Sequence, residues 1–543
     1  MSTSRIVAFF AFFVLAFAIL GANLALLCTN ETYAQAAVRQ SQTTLDLFDG
    51  RGNIYDCNFL PLTNVFTNTY AVVEPGRSSY HALFGSIPAT EKNSFYSMIQ
   101  QGSPFLIEVE KSSGTQPEYL FSCPVRYYPN PTAVHLLGYL DAEGHGVSGA
   151  EYVYDDLLTG ASTSTSVLCT ATAVGTFLES APPKLLYTQG SGAGVMLTID
   201  ETIQRICEGV AQQMMEKGSI VVLETATGRV RASVSMPVYD PENVALSIDR
   251  NDSSLINRSI SAFNVGSVFK PILAAAALEA GLDPNAVYEC TGSTEIGGHV
   301  YRCAYGKGHG PVNLTQALEQ SCNCYFIHLG LQLGAQAVEQ AAQACGFGTA
   351  TAYMGTRTTA AGNLPDEEQL RDLGQLASIS FGQGALTASP VQVAASINVF
   401  ANQGRYIEPT FVEGIVNEYS QTVTESLYSP IQRQAFRSDV AQTVQKMLVS
   451  VVENGLGKPA KPLHGGAGGK TGTAQTGRFQ EDGEEIMDAW FAGFYPAENP
   501  QYTMAVLLDS GTYSSDDAAA VFAKVSTDLG MYLGCLLYTS RCV

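Results

Sequence analysis

The longest apolar stretch of the chain lies near its N-terminus, where residues 6–28 carry no charged side chain. About 20 apolar residues are enough for a helix that spans a bilayer. Arg5 precedes the stretch and Glu31 follows it, so the positive-inside rule predicts a cytoplasmic stub at residues 1–5 and an extracytoplasmic remainder. The alternative is a cleaved signal peptide with a site at Ala34-Gln35-Ala36, but a signal core is usually only about 7–15 residues long. We therefore expect an uncleaved transmembrane anchor at residues 6–28.

Beyond the anchor, the pattern divides the chain into two domains. Residues 45–185 have the pattern of short strands and loops, and the glycine-rich run 190–194 marks a linker. Helical stretches and apolar strands then alternate over residues 195–534. Ser219–Glu224 and Val230–Ser235 flank a glycine turn and predict a hairpin. The second domain is therefore predicted to be α+β, with helices flanking an antiparallel sheet.

A helix with an activated serine at its start is predicted near the middle of the chain. The stretch after Lys270 is rich in Ala and Leu, the best helix formers, and Gly281 ends it as a C-cap would. Ser267 stands at the helix start, where the dipole is positive and backbone N–H groups are free. Lys270 follows by one turn, so both side chains share a helix face. A lysine that is desolvated enough to lose its proton can act as the base for the hydroxyl.

Ser-x-x-Lys alone is a weak signal, because short motifs often match by chance and a helix start with a surface lysine has the same pattern. Two later stretches change the interpretation. Ser321-Cys322-Asn323 follows at a predicted loop-to-helix junction. Lys470-Thr471-Gly472-Thr473 follows a glycine-rich loop, and its alternating threonines predict an edge strand along a cleft. The three motifs together, in this order, are the signature of serine β-lactamases and penicillin-binding proteins.

The chain resembles a class B (monofunctional) penicillin-binding protein, a peptidoglycan D,D-transpeptidase, over nearly its whole length. Three further stretches are similar to motifs of that family's N-terminal pedestal domain: Arg51–Asp56, His135–Tyr139 and Gly146–Glu151. The first motif departs from the family pattern at Cys57, where its usual second arginine is absent. The resemblance implies a dimerisation-type pedestal at residues 45–185 and a penicillin-binding transpeptidase fold at residues 195–534.

The resemblance also implies an acyl transfer between peptidoglycan stem peptides through a serine acyl-enzyme. Ser267 would attack the penultimate D-alanine carbonyl of a D-Ala-D-Ala donor, and neutral Lys270 would accept its proton. Ser321, with Lys470 nearby, would pass the proton to the leaving D-alanine. Asn323 would orient Lys270 and bind the substrate backbone.

The Lys-Thr-Gly stretch is expected to bind the substrate. The backbone N–H groups of Ser267 and Thr473 would form the oxyanion hole. Lys470, Thr471 and Thr473 would hold the terminal carboxylate, and Gly472 would let a substrate backbone approach closely. No carboxylate is recognisable as a base for water, so a β-lactam should acylate Ser267 and remain bound.

Composition limits the partners. The net charge of −21 and the lack of a basic run exclude nucleic acid. The expected partners are stem peptides, β-lactam antibiotics, the cell membrane and a multi-pass glycan polymerase. Alternatives are a D,D-carboxypeptidase, a β-lactamase-type hydrolase, or a non-catalytic penicillin-binding scaffold or sensor. The short cytoplasmic stub opposes a sensor, and the intact motifs oppose a scaffold.

The twelve cysteines are scattered and form no Cys-x-x-Cys pair, and the seven histidines form no His-Glu-x-x-His motif. We therefore expect no metal site and no other cofactor. Cys290 and Cys303 bracket a Gly-Gly turn in what is predicted to be a short hairpin. They are candidates for a disulfide in an extracytoplasmic domain, although two free thiols fit the sequence equally well.

The last nine residues, 535–543, differ from the rest of the chain. Back-translation of this stretch can give the mosaic-end sequence that is used in transposon-based library preparation, followed by the start of its reverse complement. We therefore predict a sequencing-adapter artefact that begins after Gly534, and residues that do not continue the preceding helix.

Overall fold

The computed structural model describes residues 3–541 except 76–82, 90, 110–118, 128–129, 173–175, 179–180, 251, 480–482, 484 and 512. The apolar N-terminal stretch forms one helix, Thr3–Thr29, which is long and apolar enough to cross a membrane and has no buried residue. A second helix, Glu31–Ser41, follows after an Asn30 cap whose side chain accepts a hydrogen bond from Thr32 N. Of the predicted cytoplasmic stub, residues 1–2 lie outside the described residues.

The chain folds into two compact units, and both are discontinuous in sequence. The smaller unit comprises Met1–Arg51, Asn64–Arg126 and Thr159–Gly192, and the larger comprises Gly52–Thr63, Tyr127–Leu158 and Ala193–Val543. Two stretches inside the predicted pedestal therefore belong to the larger unit. Strand pairing explains one of them, because Ile54–Tyr55 pairs in parallel with Val195 and Met196. The functional domain boundaries 45–185 and 195–534 stay a prediction.

The smaller unit contains two three-stranded antiparallel sheets. One has the strand order Gln42–Phe48, Ser164–Thr170, Lys184–Thr188. The other has the order Phe105–Glu108, Phe66–Val73, Leu120–Val125. The helix Lys92–Gln101 buries Phe95 in a small cluster with apolar residues of the second sheet.

A five-stranded sheet forms the centre of the larger unit, and all its neighbouring strands are antiparallel. Its strands, in spatial order, are Val230–Met236, Gly218–Glu224, Tyr502–Gly511, Glu485–Tyr495 and Gly468–Phe479. The first two form the predicted hairpin. The last, which carries the Lys-Thr-Gly motif, is an edge strand as its sequence predicted.

Helices cover both faces of this sheet. Because side chains alternate along a strand, Ile220 and Val222 pack into one apolar cluster and Val221 and Leu223 into the other. The first cluster includes the helices Glu201–Met214 and Ser515–Arg541. The second includes helices Lys270–Glu279, Leu314–Glu319, Asn323–Leu333, Ala335–Ala344, Pro390–Ala401 and Ser438–Glu453. The predicted α+β arrangement is therefore confirmed.

Shorter elements complete the larger unit. A second sheet has the order Ile54–Tyr55, Ala193–Leu197, Val412–Asn417, Thr422–Ser426. Two-stranded pairs are Phe263–Asn264 with Thr387–Ala388, Tyr288–Cys290 with Gly310–Val312, Ser293–Ile296 with His299–Arg302, Ala352–Met354 with Arg357–Thr358, and Arg405–Ile407 with Gln432–Gln434. Short helices are Val134–Leu137, Gly149–Val153, Asp155–Leu158, Val244–Arg250, Glu367–Leu370 and Leu373–Ile379.

The C-terminal helix corrects one expectation from the sequence. Ser515–Arg541 is continuous past Gly534, so the prediction that residues 535–543 leave the helix was wrong up to Arg541. Leu536 and Leu537 are good helix formers and no proline follows, so nothing in the backbone stops propagation. The adapter origin of these residues stays a prediction, and residues 542–543 lie outside the described part of the chain.

Candidate active site

The predicted nucleophile lies in a tight turn that leads into a buried helix. Gly266–Phe269 form a 3₁₀ turn, here called the nucleophile turn, and the helix Lys270–Glu279 continues from it. Pro271 is accepted in the first helical turn, where its missing N–H removes no hydrogen bond. Ser267 is half-buried, whereas the following helix is buried from Lys270 to Leu278. The turn therefore presents Ser267 from a rigid support.

Lys270 is completely buried and its ammonium group has a full set of acceptors. Its Nζ donates to the Ser321 carbonyl at 2.8 Å, to Ser321 Oγ at 3.0 Å and to Asn323 Oδ1 at 2.7 Å. Burial lowers the pKa of Lys270 to about 7, although nearby thiols of Cys322, Cys303 and Cys324 act in the opposite direction. An amine with such a pKa can exchange a proton near neutral pH, as a general base requires.

The Ser321-x-Asn323 motif lies where the sequence placed it, between two helices. Leu314–Glu319 ends just before it, and Cys322 is the N-cap of Asn323–Leu333. Ser321 has a left-handed backbone with φ of 51°, which is uncommon for a residue with a side chain. Asn323 also donates through Nδ2 to the carbonyl of Arg302 at 2.9 Å. Asn323 is thereby fixed from both ends of its amide.

Lys470 lies beneath the cleft rather than on its surface. It is completely buried on the edge strand, and its Nζ donates to the Thr471 carbonyl at 3.1 Å and to Thr471 Oγ1 at 3.2 Å. Burial, together with the charge of Lys270, holds the pKa of Lys470 well below its usual value. The side chain of Thr473, three residues after Lys470 on the same strand, is exposed.

Close packing joins the edge strand to the nucleophile turn. A Cβ added to Gly472 would lie 3.0 Å from Val268 Cγ1 and 3.2 Å from Trp490 Cβ. Trp490 is fully buried and donates to the carbonyl of Asn264 at 2.8 Å. The missing side chain at Gly472 thus lets the strand approach the turn, and close approach of a substrate backbone there stays a prediction.

Gln383, in the stretch Ser380–Gly384, contacts the edge strand and is not among the site residues predicted from sequence. Gln383 Nε2 donates to the carbonyl of Thr473 at 3.1 Å, and its Oε1 accepts from Gln475 N at 3.3 Å. The N–H and C=O of one strand residue point to the same side. The N–H of Thr473 therefore also points away from the neighbouring strand, on the side where Thr473 O approaches Gly266.

Gly266 and Gly382, which both have left-handed backbones, join the nucleophile turn to the stretch Ser380–Gly384. Gly266 N donates to Gly382 O at 2.8 Å, with φ of 65° and 83° at the two residues. A Cβ on Gly382 would lie only 1.7 Å from the carbonyl oxygen of Gly266. The nearby Gly384 is also left-handed, with φ of 79°, but a Cβ there would lie 3.1 Å from Ser378 Cβ, its nearest neighbour.

We therefore expect Gly382→Ala to reduce both stability and acylation far more than Gly384→Ala. Both variants carry the cost of a left-handed non-glycine residue, about 1–3 kcal/mol, but only Gly382→Ala also drives a methyl group into backbone. Thermal unfolding and penicillin labelling rates of the two purified variants measure the difference. Equal losses would show that the Gly266–Gly382 contact does not maintain the site.

The structure brings most of the predicted site residues together in the larger unit. Lys270, Ser321 and Asn323 are in direct hydrogen-bond contact, and the pKa of Lys470 responds to Lys270. Within the described part of the chain, Ser267 Oγ has no hydrogen-bond partner. The roles assigned to these residues stay predictions.

Of the two alternatives left open for Cys290 and Cys303, a disulfide or two free thiols, the structure has the free thiols. Both residues are free cysteines, and their Sγ atoms are 3.7 Å apart, whereas a disulfide needs about 2.05 Å. The predicted hairpin is present, and its strands Ser293–Ile296 and His299–Arg302 lie between the two cysteines in sequence. Besides the contact between the two sulfur atoms, Cys290 Sγ lies near His309 Nδ1, and Cys303 Sγ lies near Cys322 Sγ.

The family model described as the penicillin binding protein transpeptidase domain matches residues 218–527, more than half of the chain. The chain belongs to the penicillin-binding protein transpeptidase family. The match spans the central sheet and all three sequence motifs, so the predicted resemblance is confirmed.

Curated relatives agree with this assignment. Stage V sporulation protein D of Bacillus subtilis is 28% identical over 432 residues, which cover 76% of this chain and 64% of the relative. Peptidoglycan D,D-transpeptidase PbpA of Mycolicibacterium smegmatis is 29% identical over 410 residues, 71% of this chain and 79% of the relative. The chain thus spans less than two thirds of the Bacillus subtilis protein.

Solved structures share the fold. Penicillin binding protein 3 of Mycobacterium tuberculosis aligns with a TM-score of 0.66 at 24% identity, covering 91% of this chain and 97% of that one. A chain of a peptidoglycan synthase complex aligns with a TM-score of 0.68 at 24% identity, covering 96% and 98%. These similarities extend well beyond the transpeptidase domain.

Proposed function

We propose that the chain is a serine-type D,D-transpeptidase that cross-links peptidoglycan stem peptides and is inhibited covalently by β-lactams. The observation that carries the proposal is the buried Lys270, one helical turn from Ser267 and bonded to Ser321 and Asn323. A lysine in that setting can be neutral near pH 7 and can activate a hydroxyl. The transpeptidases named among the relatives support the same reaction class.

In the acylation step, Ser267 Oγ attacks the carbonyl carbon of the penultimate D-alanine and Lys270 accepts the hydroxyl proton. The peptide C–N bond then breaks, and the leaving D-alanine needs a proton on its amine. Of the three acceptors around Lys270 Nζ, only Ser321 Oγ can also donate. Ser321 can therefore take a proton from Lys270 while giving its own to the leaving amine.

Developing charge on the carbonyl oxygen is stabilised by the backbone N–H groups of Ser267 and Thr473. The direction of Thr473 N–H, inferred from its carbonyl contact with Gln383, supports this assignment. In the second step an acceptor amine attacks the acyl carbon, the ester bond breaks and Ser267 recovers its proton. A cross-link results when that amine belongs to another stem peptide.

The terminal carboxylate of the donor binds along the edge strand. Lys470 donates to Thr471 Oγ1, so that hydroxyl is free to donate its own hydrogen to a carboxylate. Thr473 offers an exposed hydroxyl on the same strand. Lys470 then acts from beneath the threonines, and Gly472 keeps the strand close to the nucleophile turn.

The N-terminal helix Thr3–Thr29 supports a single-pass membrane location, with the stub before it in the cytoplasm and the chain after it outside. A glycan polymerase is the proposed partner, because cross-linking needs newly made strands. The similarity to a chain from a complex described as coordinating polymerization and crosslinking supports that partner.

A product analysis tests the reaction. We expect the purified full chain in detergent to replace the terminal D-alanine of a stem pentapeptide with a labelled D-amino acid, detected by mass spectrometry. A carboxypeptidase would release D-alanine without incorporating the labelled amino acid, and a β-lactamase would only turn over a chromogenic cephalosporin. A scaffold would catalyse none of these reactions. Any of those three outcomes would contradict the transpeptidase proposal.

A further inference from the structure

Four metal-binding side chains converge behind the Ser321-x-Asn323 motif. They are Cys290, Cys303, His309 and Cys322, whose sulfur and imidazole atoms all lie within 4.8 Å of one another. Each ligand lies at a different element. Cys290 ends the strand Tyr288–Cys290 and Cys303 follows the strand His299–Arg302. His309 precedes the strand Gly310–Val312, and Cys322 is the N-cap of the helix Asn323–Leu333. The fold, not a local motif, assembles this set.

Three of the six distances among the four ligand atoms match the edges of a metal-centred tetrahedron, and the other three are at most 4.8 Å. Sγ atoms of Cys290 and Cys303 are 3.7 Å apart, and those of Cys303 and Cys322 are 3.8 Å apart. Cys290 Sγ lies 3.4 Å from His309 Nδ1. Bonds of about 2.3 Å to sulfur and about 2.0 Å to nitrogen give tetrahedral edges of about 3.8 Å and about 3.5 Å.

The surroundings favour a closed, structural site. The three cysteines are at most 3% exposed, and His309 is half-buried. The surrounding segment 288–312 contains short strands, and among the side chains that the structure describes in it, the only buried ones are Cys290, Cys303 and Val312. A segment with so little apolar core needs another source of stability, which a metal can supply.

We propose that Cys290, Cys303, His309 and Cys322 bind one Zn²⁺ in a tetrahedral Cys₃His site. The three thiols bind as thiolates and release their protons to solvent, while His309 binds as the neutral imidazole. Cys324 stays outside this set, with its Sγ 3.5 Å from that of Cys303. No oxidant or reductant is involved.

Two of the four ligands, Cys322 and Cys303, connect the metal site to the Ser321-x-Asn323 motif. Cys322 stands between Ser321 and Asn323, which both accept hydrogen bonds from Lys270. Cys303 follows Arg302, whose carbonyl accepts from Asn323 Nδ2. A metal that holds Cys303 and Cys322 together thereby fixes Asn323 and the Arg302 carbonyl to which it donates. The four ligands are therefore positioning residues for the proposed acylation.

Metal content of the full chain tests the site without reference to activity. The untagged full chain, purified in detergent without chelator, is expected to carry about one Zn²⁺, measured by mass spectrometry of the metal. The double variant Cys290→Ser/Cys322→Ser should lose it. The matched control is Cys345→Ser, another buried free cysteine outside the cluster, which should keep it.

A second measurement covers the case in which the double variant fails to fold. The zinc-depleted wild-type chain, loaded with Co²⁺, should show the visible absorption of tetrahedral Co²⁺ with thiolate ligands. A wild-type chain without zinc and without that spectrum would overturn the proposal, as would zinc that remains in the folded double variant.

The positioning role rests on the proposed function and has its own readout. Zinc removal should lower the rate of penicillin acylation by about tenfold or more, with recovery on adding Zn²⁺ but not Mg²⁺. An unchanged rate in zinc-free protein would refute the positioning role. Failure of the wild-type, zinc-loaded protein to acylate would instead contradict the proposed function, while the metal content would still report on the site.

Discussion

Replacement of Ser267 by alanine is expected to abolish covalent labelling by a fluorescent penicillin. The nucleophile turn presents this serine half-buried at the start of a buried helix, with the lysine of the same motif one turn away. An alanine keeps the backbone of the turn and removes only the atom that forms the ester. We therefore expect no labelled band at all, rather than a slower reaction.

The control for this experiment is Ser261→Ala. Ser261 lies six residues earlier (267 − 261) and donates to the carbonyl of Asn257, away from the motif residues. That variant should label like the wild-type chain, and both variants should unfold near the wild-type temperature. Labelling that persists in folded Ser267→Ala would assign the nucleophile to another residue and remove the basis of the mechanism.

Loss of the basic amine at position 270 is expected to have the second largest effect. Lys270→Arg retains a positive charge that cannot be lost near neutral pH, and Lys270→Met retains apolar bulk without a titratable group. General-base catalysis is typically worth about 10²–10⁴-fold, so both variants should acylate slower by about that factor. Stopped-flow measurement with a chromogenic β-lactam gives the rates.

Two variants are needed because Lys270 is fully buried. Arginine is the larger side chain and can disturb packing, whereas methionine fits the space of the lysine stem but leaves the acceptors on Ser321 and Asn323 unpaired. Lys446→Arg, at an exposed lysine, is the control for the effect of a lysine-to-arginine change outside the site. A near-normal rate in either folded variant would mean that another group accepts the proton from Ser267.

The elements that carry the site could be predicted from sequence because their signals are local. Local composition predicted a helix in the Ala- and Leu-rich stretch after Lys270 and a strand at the alternating threonines after Lys470. It also predicted a long apolar helix at residues 6–28. The order of the three motifs also indicated the family. Packing then had only to bring together elements that were already specified.

Local signals did not predict every detail of these elements. The approach of a substrate backbone at Gly472 stays a prediction, but the close packing of this position against Val268 and Trp490 was not predicted. The end of the last helix was placed at Gly534, although one glycine at a helix end costs only about 1 kcal/mol and did not stop the helix before Arg541. Gln383 received no role because its partner, Thr473, is remote in sequence.

The sequence by itself determined the kind of secondary structure at each motif and the side chains available for an acyl transfer. Tertiary structure alone decided that Lys270 meets Ser321 and Asn323 and loses contact with water, and it is the burial that lowers its pKa. It also decided that Cys290 and Cys303 are joined by no disulfide and lie beside His309 and Cys322 instead. Burial and the meeting of side chains from separate elements depend on how the elements pack, and no local pattern along the chain encodes those distances.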